Sequence, residues 1–170
     1  MQKLNEEQVA DTAASDEEAV LENKIAEYDA FLTKQDPAFT VEELEEAMQK
    51  VMDQYAGGIG THYQFNEKQL AMAEEKIKKL QILAKGLAAA DMHELMFIYE
   101  LKERLTVCLT VIAHLRARKE TRWHSFAENL DYPEKSDAWL CYVNSKKNGD
   151  QITMIRRDLV KGGETYEHRD

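Results

Sequence analysis

The chain has 170 residues, of which 44% are apolar, and this is enough for one domain with a buried core. Its formal net charge is −10, and the whole excess lies in residues 1–50, which contain 14 Asp or Glu against 4 Lys. Phosphate backbones repel such a segment and the remainder is neutral, so we expect no nucleic-acid partner. No apolar run reaches the roughly 20 residues of a membrane span and no apolar leader is visible, so we expect a cytoplasmic protein.

The N-terminal segment predicts a helix that starts some distance into the chain. Residues 1–14 are polar and lack periodicity, so we expect a frayed or disordered lead. Ser15 and Glu18 form a capping box, which predicts a helix from there to the Asp-Pro pair at Pro37. The apolar stripe of this helix is predicted to be Leu21, Ile25, Tyr28 and Leu32.

A second capping box, formed by Thr40 and Glu43, predicts the next helix. Its apolar positions recur at helical spacing and are Val41, Leu44, Met48, Val51 and Tyr55. The segment Gly57-Gly58-Ile59-Gly60 ends this helix. We interpret these glycines as a linker, because no strand precedes them as a phosphate-binding loop requires.

Two further helices follow, and the last is the longest and most apolar. A helix is predicted from Asn66 to Lys85, and Asp91 is placed to cap the next one. The fourth helix carries apolar residues for about six turns, at Leu95, Ile98, Leu101, Leu105, Cys108, Val111, Ile112 and Leu115. Few polar residues interrupt it between Leu105 and Ala113, so we expect this stretch to be buried on most sides.

The C-terminal part predicts strands. Aromatic and β-branched residues flank the pair Asn148-Gly149, a strong hairpin signal, so residues 138–157 are predicted to form a β-hairpin beside the helices. The predicted fold class is mainly α, a bundle of about four helices with a C-terminal β-hairpin. We place this helical domain at residues 15–157 and expect a loose tail over residues 158–170.

The sequence contains no apparatus for independent catalysis. Its five histidines show no metal-ligand spacing, its carboxylates lie near cations that can pair with them, and no nucleophile motif is present. No G-x-G-x-x-G segment occurs, so no dinucleotide-binding turn is present. We therefore predict no catalytic, cofactor-binding or metal-binding residue in this chain.

The best candidate for an interface or cleft-lining surface follows the fourth helix. Arg116, Arg118 and Lys119 suit the negative end of the helix dipole, which alone could explain them. Arg122 and Trp123 combine a charged fork with a large aromatic ring, a composition typical of an interface anchor. An interface or cleft-lining role and a role inside the domain both stay open for this pair.

Several short motifs follow one another in an order found in a known family. They are Met52-Asp53-Gln54-Tyr55-Ala56-Gly57-Gly58, Thr61-His62-Tyr63, Met92-His93-Glu94-Leu95, Tyr99-Glu100-Leu101-Lys102-Glu103-Arg104, Arg118-Lys119-Glu120-Thr121-Arg122-Trp123, Asp131-Tyr132-Pro133, Trp139 and Val143-Asn144-Ser145. Over residues 47–157 this order resembles the end of flavoprotein subunits of the fumarate reductase and succinate dehydrogenase type. Within that superfamily it is most similar to the adenylylsulfate reductase alpha subunits.

The resemblance implies a C-terminal helical domain of a FAD-dependent oxidoreductase. Such a domain packs on the flavin domain and helps to shape the substrate cleft, with FAD in that companion domain and an iron-sulfur subunit as a further partner. Arg118, Arg122, Trp123, Tyr132 and Trp139 are the interface or cleft-lining candidates. The alternative is a stand-alone acidic helical module that binds a basic partner protein.

Overall fold

The computed structural model describes residues 2–149 and 151–160, with the backbone alone for residues 2–16. Four α-helices are α1 (Gln2–Leu32), α2 (Val41–Tyr55), α3 (Glu67–Ala84) and α4 (Met92–Ala117). Four strands are β1 (Gln64–Phe65), β2 (Glu128–Asn129), β3 (Cys141–Asn148) and β4 (Gln151–Asp158). The predicted fold class, mainly α with a C-terminal hairpin, is confirmed.

Three helices begin where the capping signals predict. Thr40 and Glu43 exchange side-chain to backbone bonds of 3.2 and 2.9 Å, which completes a capping box at α2. Asn66 accepts a bond from an amide of the first turn of α3, and Asp91 accepts two from the first turn of α4. Each cap bonds amides that have no partner inside the helix, so the boundaries follow from local chemistry.

The first helix differs from its prediction. It begins at Gln2, so Ser15 and Glu18 lie inside it and do not form its N-terminal capping box. Its predicted apolar stripe is only partly buried, because Leu21 and Ile25 remain 61% and 50% exposed. Phe31, outside the predicted stripe, is the buried residue of α1 and packs edge-on against Tyr99 of α4.

The core lies between α2, α3 and α4, with the end of α1 on its side. Its most deeply buried side chains are Leu70, Ile77, Leu87, Ile98, Leu101, Leu105 and Ile112. These positions recur at three- and four-residue spacing on α3 and α4, which gives each helix one continuous apolar face. Within the described ranges, no helix has the length and apolar character needed to span a membrane.

The middle of α4 is less buried than predicted. Leu105 is fully buried, but Val107 is 60% exposed and Val111 is 41% exposed. Val107 and Val111 are four residues apart and lie on the side of the helix opposite Leu105 and Ile112. The expectation of burial on most sides is therefore wrong, because α4 keeps one apolar face toward solvent.

Strands β3 and β4 form the predicted antiparallel hairpin beside α4. The last pair before the turn is Asn148 with Gln151, and Gly149 takes a positive φ of 59°, a conformation that glycine adopts without strain. The hairpin extends to Asp158, one residue beyond the predicted range. Most of the predicted loose tail, residues 161–170, lies outside the described residues.

Candidate domain interface

A buried carboxylate organises the segment that follows α4. The Glu120 side chain is completely buried and accepts bonds from Arg118 Nη1 (2.6 Å), Arg122 Nε (2.9 Å), Arg122 Nη2 (2.8 Å) and the Ser136 amide (3.0 Å). Arg122 also donates to the Ser136 carbonyl at 3.2 Å. Two cations and one amide thus surround a single anion, which ties the end of α4 to residues 134–136.

These contacts determine the pKa of Glu120. Burial raises this pKa, but the bonds from Arg122, the Ser136 amide and Arg118 outweigh burial and lower it from 4.5 to about 2. The carboxylate is therefore charged at every pH at which proteins are usually handled. A charged, fully bonded and buried carboxylate indicates a structural function rather than proton transfer.

The low pKa of Glu120 predicts a loss of stability in acid. The pKa of Glu120 is lower in the folded chain than in the unfolded chain. The stability that its ionised carboxylate contributes is therefore complete above about pH 5 and is lost as the pH falls toward 2. A shift from 4.5 to about 2 corresponds to on the order of 3 kcal/mol. The expected result in a carbon-detected NMR titration is a Glu120 carboxyl midpoint near pH 2, whereas a midpoint of about 4.3, the ordinary glutamate value, would contradict the bonding described.

Thr121, next to Glu120, anchors the loop that follows it. Its hydroxyl accepts from the Asn129 amide and donates to the Tyr132 carbonyl, both at 2.9 Å, and its side chain is fully buried. The Asp131 carboxylate accepts from the Glu67 amide at 2.7 Å, in the first turn of α3, where the helix dipole favours an anion. The Thr121 bonds therefore join the two ends of the loop 121–132 to each other, and Asp131 attaches the loop to α3.

A second loop, residues 57–65, lies beside the first. Gly58 is required there, since a Cβ atom would approach Asp53 Cα to 2.4 Å, and the Asp53 carboxylate accepts from the Gly60 amide at 2.9 Å. His62 and Tyr63 both adopt positive φ angles, of 54° and 63°. This left-handed conformation costs a side-chain-bearing residue about 1–2 kcal/mol, so the surrounding bonds hold this loop in an unusual shape.

The two loops meet as a short parallel pair, β1 with β2. The Tyr63 and Phe65 carbonyls accept from the Glu128 and Leu130 amides at 2.9 and 2.8 Å. Large apolar side chains on both loops nevertheless remain exposed. We call this set the aromatic patch: Ile59 (74% exposed), Tyr63 (37%), Trp123 (68%), Phe126 (73%), Leu130 (47%) and Tyr132 (42%).

The glycine loop does not fit the phosphates of a dinucleotide. The Gly60 amide is already bonded to Asp53, and that carboxylate would repel a phosphate. The loop follows a helix and leads into a 3-10 turn, Ile59–Thr61, instead of joining a strand to a helix. The glycine loop therefore lacks the strand-to-helix connection of a dinucleotide-binding turn, and its Gly60 amide is already bonded.

Comparison with known proteins identifies the family. The family described as the fumarate reductase flavoprotein C-terminus matches residues 45–164, which is most of the chain. The chain belongs to this flavoprotein C-terminal family. The recognition made from the motifs is therefore confirmed, and the chain represents a C-terminal domain of flavoprotein oxidoreductases.

Adenylylsulfate reductases are among the relatives with detectable identity. The alpha subunit from Megalodesulfovibrio gigas is 34% identical over 98 residues, which are 57% of this chain and 15% of that protein. The structure of adenylylsulfate reductase from Archaeoglobus fulgidus is 31% identical over 88% of this chain and 26% of that chain, with a TM-score of 0.79. An adenosine-5-phosphosulfate reductase structure in complex with sulfite is 37% identical over 76% of this chain and 21% of that chain, with a TM-score of 0.71.

The fold extends to a more distant member of the superfamily. E. coli quinol fumarate reductase shares the fold with a TM-score of 0.69 at 19% identity, over 88% of this chain and 26% of that chain. In each of these comparisons the chain spans about a quarter or less of the relative's length. The flavoprotein C-terminal domain is thus matched as a unit that forms part of much longer chains.

Four of the five interface candidates divide into two groups. Arg118 donates to the Trp139 and Cys141 carbonyls, and the Trp139 ring lies between the guanidinium groups of Arg118 and Arg156 at 5.9 and 4.3 Å. Arg118 and Trp139 thus fasten the hairpin to α4. Trp123 and Tyr132 belong to the exposed aromatic patch. The rings of Trp123 and Tyr132 are therefore accessible to another domain.

Arg122, the fifth candidate, belongs to neither group. Its side chain is 22% exposed, and its Nε and Nη2 atoms bond Glu120 and the Ser136 carbonyl. The sequence left an interface role and a role inside the domain open for this residue. The ion pair with the buried Glu120 supports a role inside the domain, whereas the neighbouring Trp123 remains exposed.

Sequence reasoning missed Glu120, Thr121 and Phe126. Glu120 stands in a run of charges that is typical of a solvated helix end, and one of its bonds comes from the Ser136 amide, sixteen positions along the chain. Phe126 could have been found from its polar surroundings, because an aromatic ring in a polar loop is unusual. No group of three His, Cys, Asp or Glu residues that could hold a metal occurs in the described part of the chain.

Proposed function

We propose that this chain packs on the flavin-binding domain of a FAD-dependent oxidoreductase and that the aromatic patch is the contact surface. Membership of the flavoprotein C-terminal family supports the partner. The patch supports the surface, because contiguous exposed apolar groups in soluble proteins commonly mark interaction sites. The FAD belongs to the partner domain, since the glycine loop of this chain does not fit a dinucleotide.

The two loops that carry the aromatic patch are held in place before a partner binds. Its two loops are held by the hydrogen bonds of Thr121 and Asp131 and by the turn at Gly58. Trp123 and Phe126 are therefore presented on a backbone that has little freedom left to lose when a partner binds. Tryptophan and its aromatic neighbours are typical anchors of such interfaces.

The proposal extends to the type of parent enzyme, its substrate cleft and its further partners. The identity to adenylylsulfate reductases favours a parent enzyme of that type over one of the fumarate reductase type, whose similarity rests on fold. By packing on the flavin domain, the helical domain would form one wall of the substrate cleft without supplying a catalytic group. An iron-sulfur subunit and a cytoplasmic location stay predictions.

Replacing Trp123 by alanine tests the contact surface. We expect binding to the flavin-binding domain encoded with this chain to weaken by about 1–2 kcal/mol. The Trp123 ring is largely exposed in the isolated chain, and the variant would lack the area that this ring buries in the complex. Isothermal titration calorimetry measures this change. The melting temperature of the isolated chain should stay within a few degrees, because the ring is exposed there.

Tyr142→Ala is the matched control. Tyr142 is an aromatic residue of similar exposure, 52%, on the hairpin and outside the patch, so its loss should leave the affinity unchanged. Equal losses for the two variants would show that the patch is not the contact surface. Tight binding of a basic protein, together with no binding of the flavin domain, would favour the independent acidic module instead.

A further inference from the structure

A groove runs between the helices and the hairpin, away from the aromatic patch. Its wider part has a volume of about 920 Å³ and its narrower part about 440 Å³. Lys78, Leu109, Gln151 and Ile152 line both parts, so the two are continuous. On α4 the lining extends from Lys102 to Ala117, which corresponds to about 22 Å along the helix.

One face of the hairpin forms the roof of this groove. Ser145 and Lys147 of β3 pair with Met154 and Ile152 of β4, and all four side chains lie on the same face of the ribbon. These residues line the groove together with residues of α3 and α4. The described hairpin residues on this face therefore lie across the groove from the helices.

The groove is lined by apolar side chains and by lysines. Phe31, Ile82 and Leu109 on the helices and Ile152 on the hairpin supply apolar surface. Four lysines line the wider part, at Lys78, Lys85, Lys102 and Lys147, against one acidic residue, Glu27. This is the reverse of the chain as a whole, whose net charge is −10.

The acidic partners within the chain neutralise only half of these lysines. Glu27 binds Lys102 at 2.5 Å, and Glu74 binds Lys78 at 2.5 Å. Lys85 and Lys147 form no ion pair with any described residue. Within the described part of the chain, these two lysines of the groove therefore have no acidic partner.

We propose that this groove binds an acidic, partly apolar segment of a partner polypeptide in an extended conformation. A length of about 22 Å accommodates six or seven extended residues, at about 3.3 Å each. Alternate apolar side chains would lie against the apolar lining, and carboxylates would reach Lys85 and Lys147. The apolar lining and the acidic chain around it disfavour a nucleic acid, and the open length exceeds what a small anion needs.

The test uses a fluorescein-labelled probe peptide of eight residues that alternates leucine and glutamate. We expect saturable binding to the full chain by fluorescence anisotropy, with affinity that falls as salt is added. Lys85→Glu combined with Lys147→Glu should weaken binding by about tenfold or more, because both free cations become repulsive. Circular dichroism should show unchanged helix content, since both lysines are on the surface.

Lys146→Glu is the matched control, because this neighbour lies on the opposite face of the same strand. It should change the affinity by less than about twofold, a surface-charge effect. Equal weakening by the control variant would overturn the proposal, as would no saturable binding up to about 1 mM peptide. Tighter binding of an oligothymidylate or of decanoate would identify another ligand class, and occupation by a second copy would appear as dimers in sedimentation that the double variant abolishes.

Discussion

Replacing Arg122 by alanine should lower the free energy of unfolding by about 3–5 kcal/mol, the usual cost of breaking a buried ion pair. Arg122 makes two bonds to the Glu120 carboxylate, which has no exposed surface. Without its partner the carboxylate would keep only Arg118 and one amide while remaining buried. Urea denaturation followed by circular dichroism measures the change.

Arg104→Ala serves as the control for this prediction. Arg104 also pairs with two carboxylates, those of Glu45 and Glu100, but its side chain is 49% exposed. Exposed ion pairs contribute roughly 0–1 kcal/mol, so the control should change stability little. Similar midpoints for the two variants would mean that Glu120 is hydrated in solution and that the ion pair does not hold the segment after α4.

The second large effect is expected in α4. Leu105→Ala should cost about 2–4 kcal/mol, because Leu105 is fully buried among α2, α3 and α4 and its truncation leaves a cavity. Val111→Ala should cost less than about 1 kcal/mol, since Val111 is 41% exposed and alanine is the better helix former. The comparison of the two variants in one denaturant series tests which face of α4 is buried. A larger loss for Val111 than for Leu105 would contradict the described orientation of the helix.

Local signals predicted most of the helix boundaries. Thr40, Asn66 and Asp91 start three helices because each supplies an oxygen to an amide only a few residues away. The turn between β3 and β4 was predicted for the same reason, from the pair Asn148-Gly149. Features that depend on neighbours in sequence are thus accessible without the structure.

Features that depend on distant residues were not predicted. Leu21 and Ile25 have helical spacing, yet they remain 61% and 50% exposed, because the contacts of α1 with α4 are made by Tyr28 and Phe31 farther along the helix. Glu120 stands among several charges in the sequence, and one of its bonds comes from the Ser136 amide, sixteen positions away. Periodicity indicates which face could be buried, whereas the tertiary contacts decide which part of that face is buried.

The central claim is that this chain docks on a flavin-binding domain and carries no flavin itself. Sedimentation velocity followed at about 450 nm, where flavin absorbs and protein does not, tests both parts at once, because free flavin forms no sedimenting boundary. We expect no boundary at this wavelength for the isolated chain, and a faster boundary for the flavin domain once equimolar chain is added. A flavin-domain boundary that does not change on addition of the chain would contradict the account.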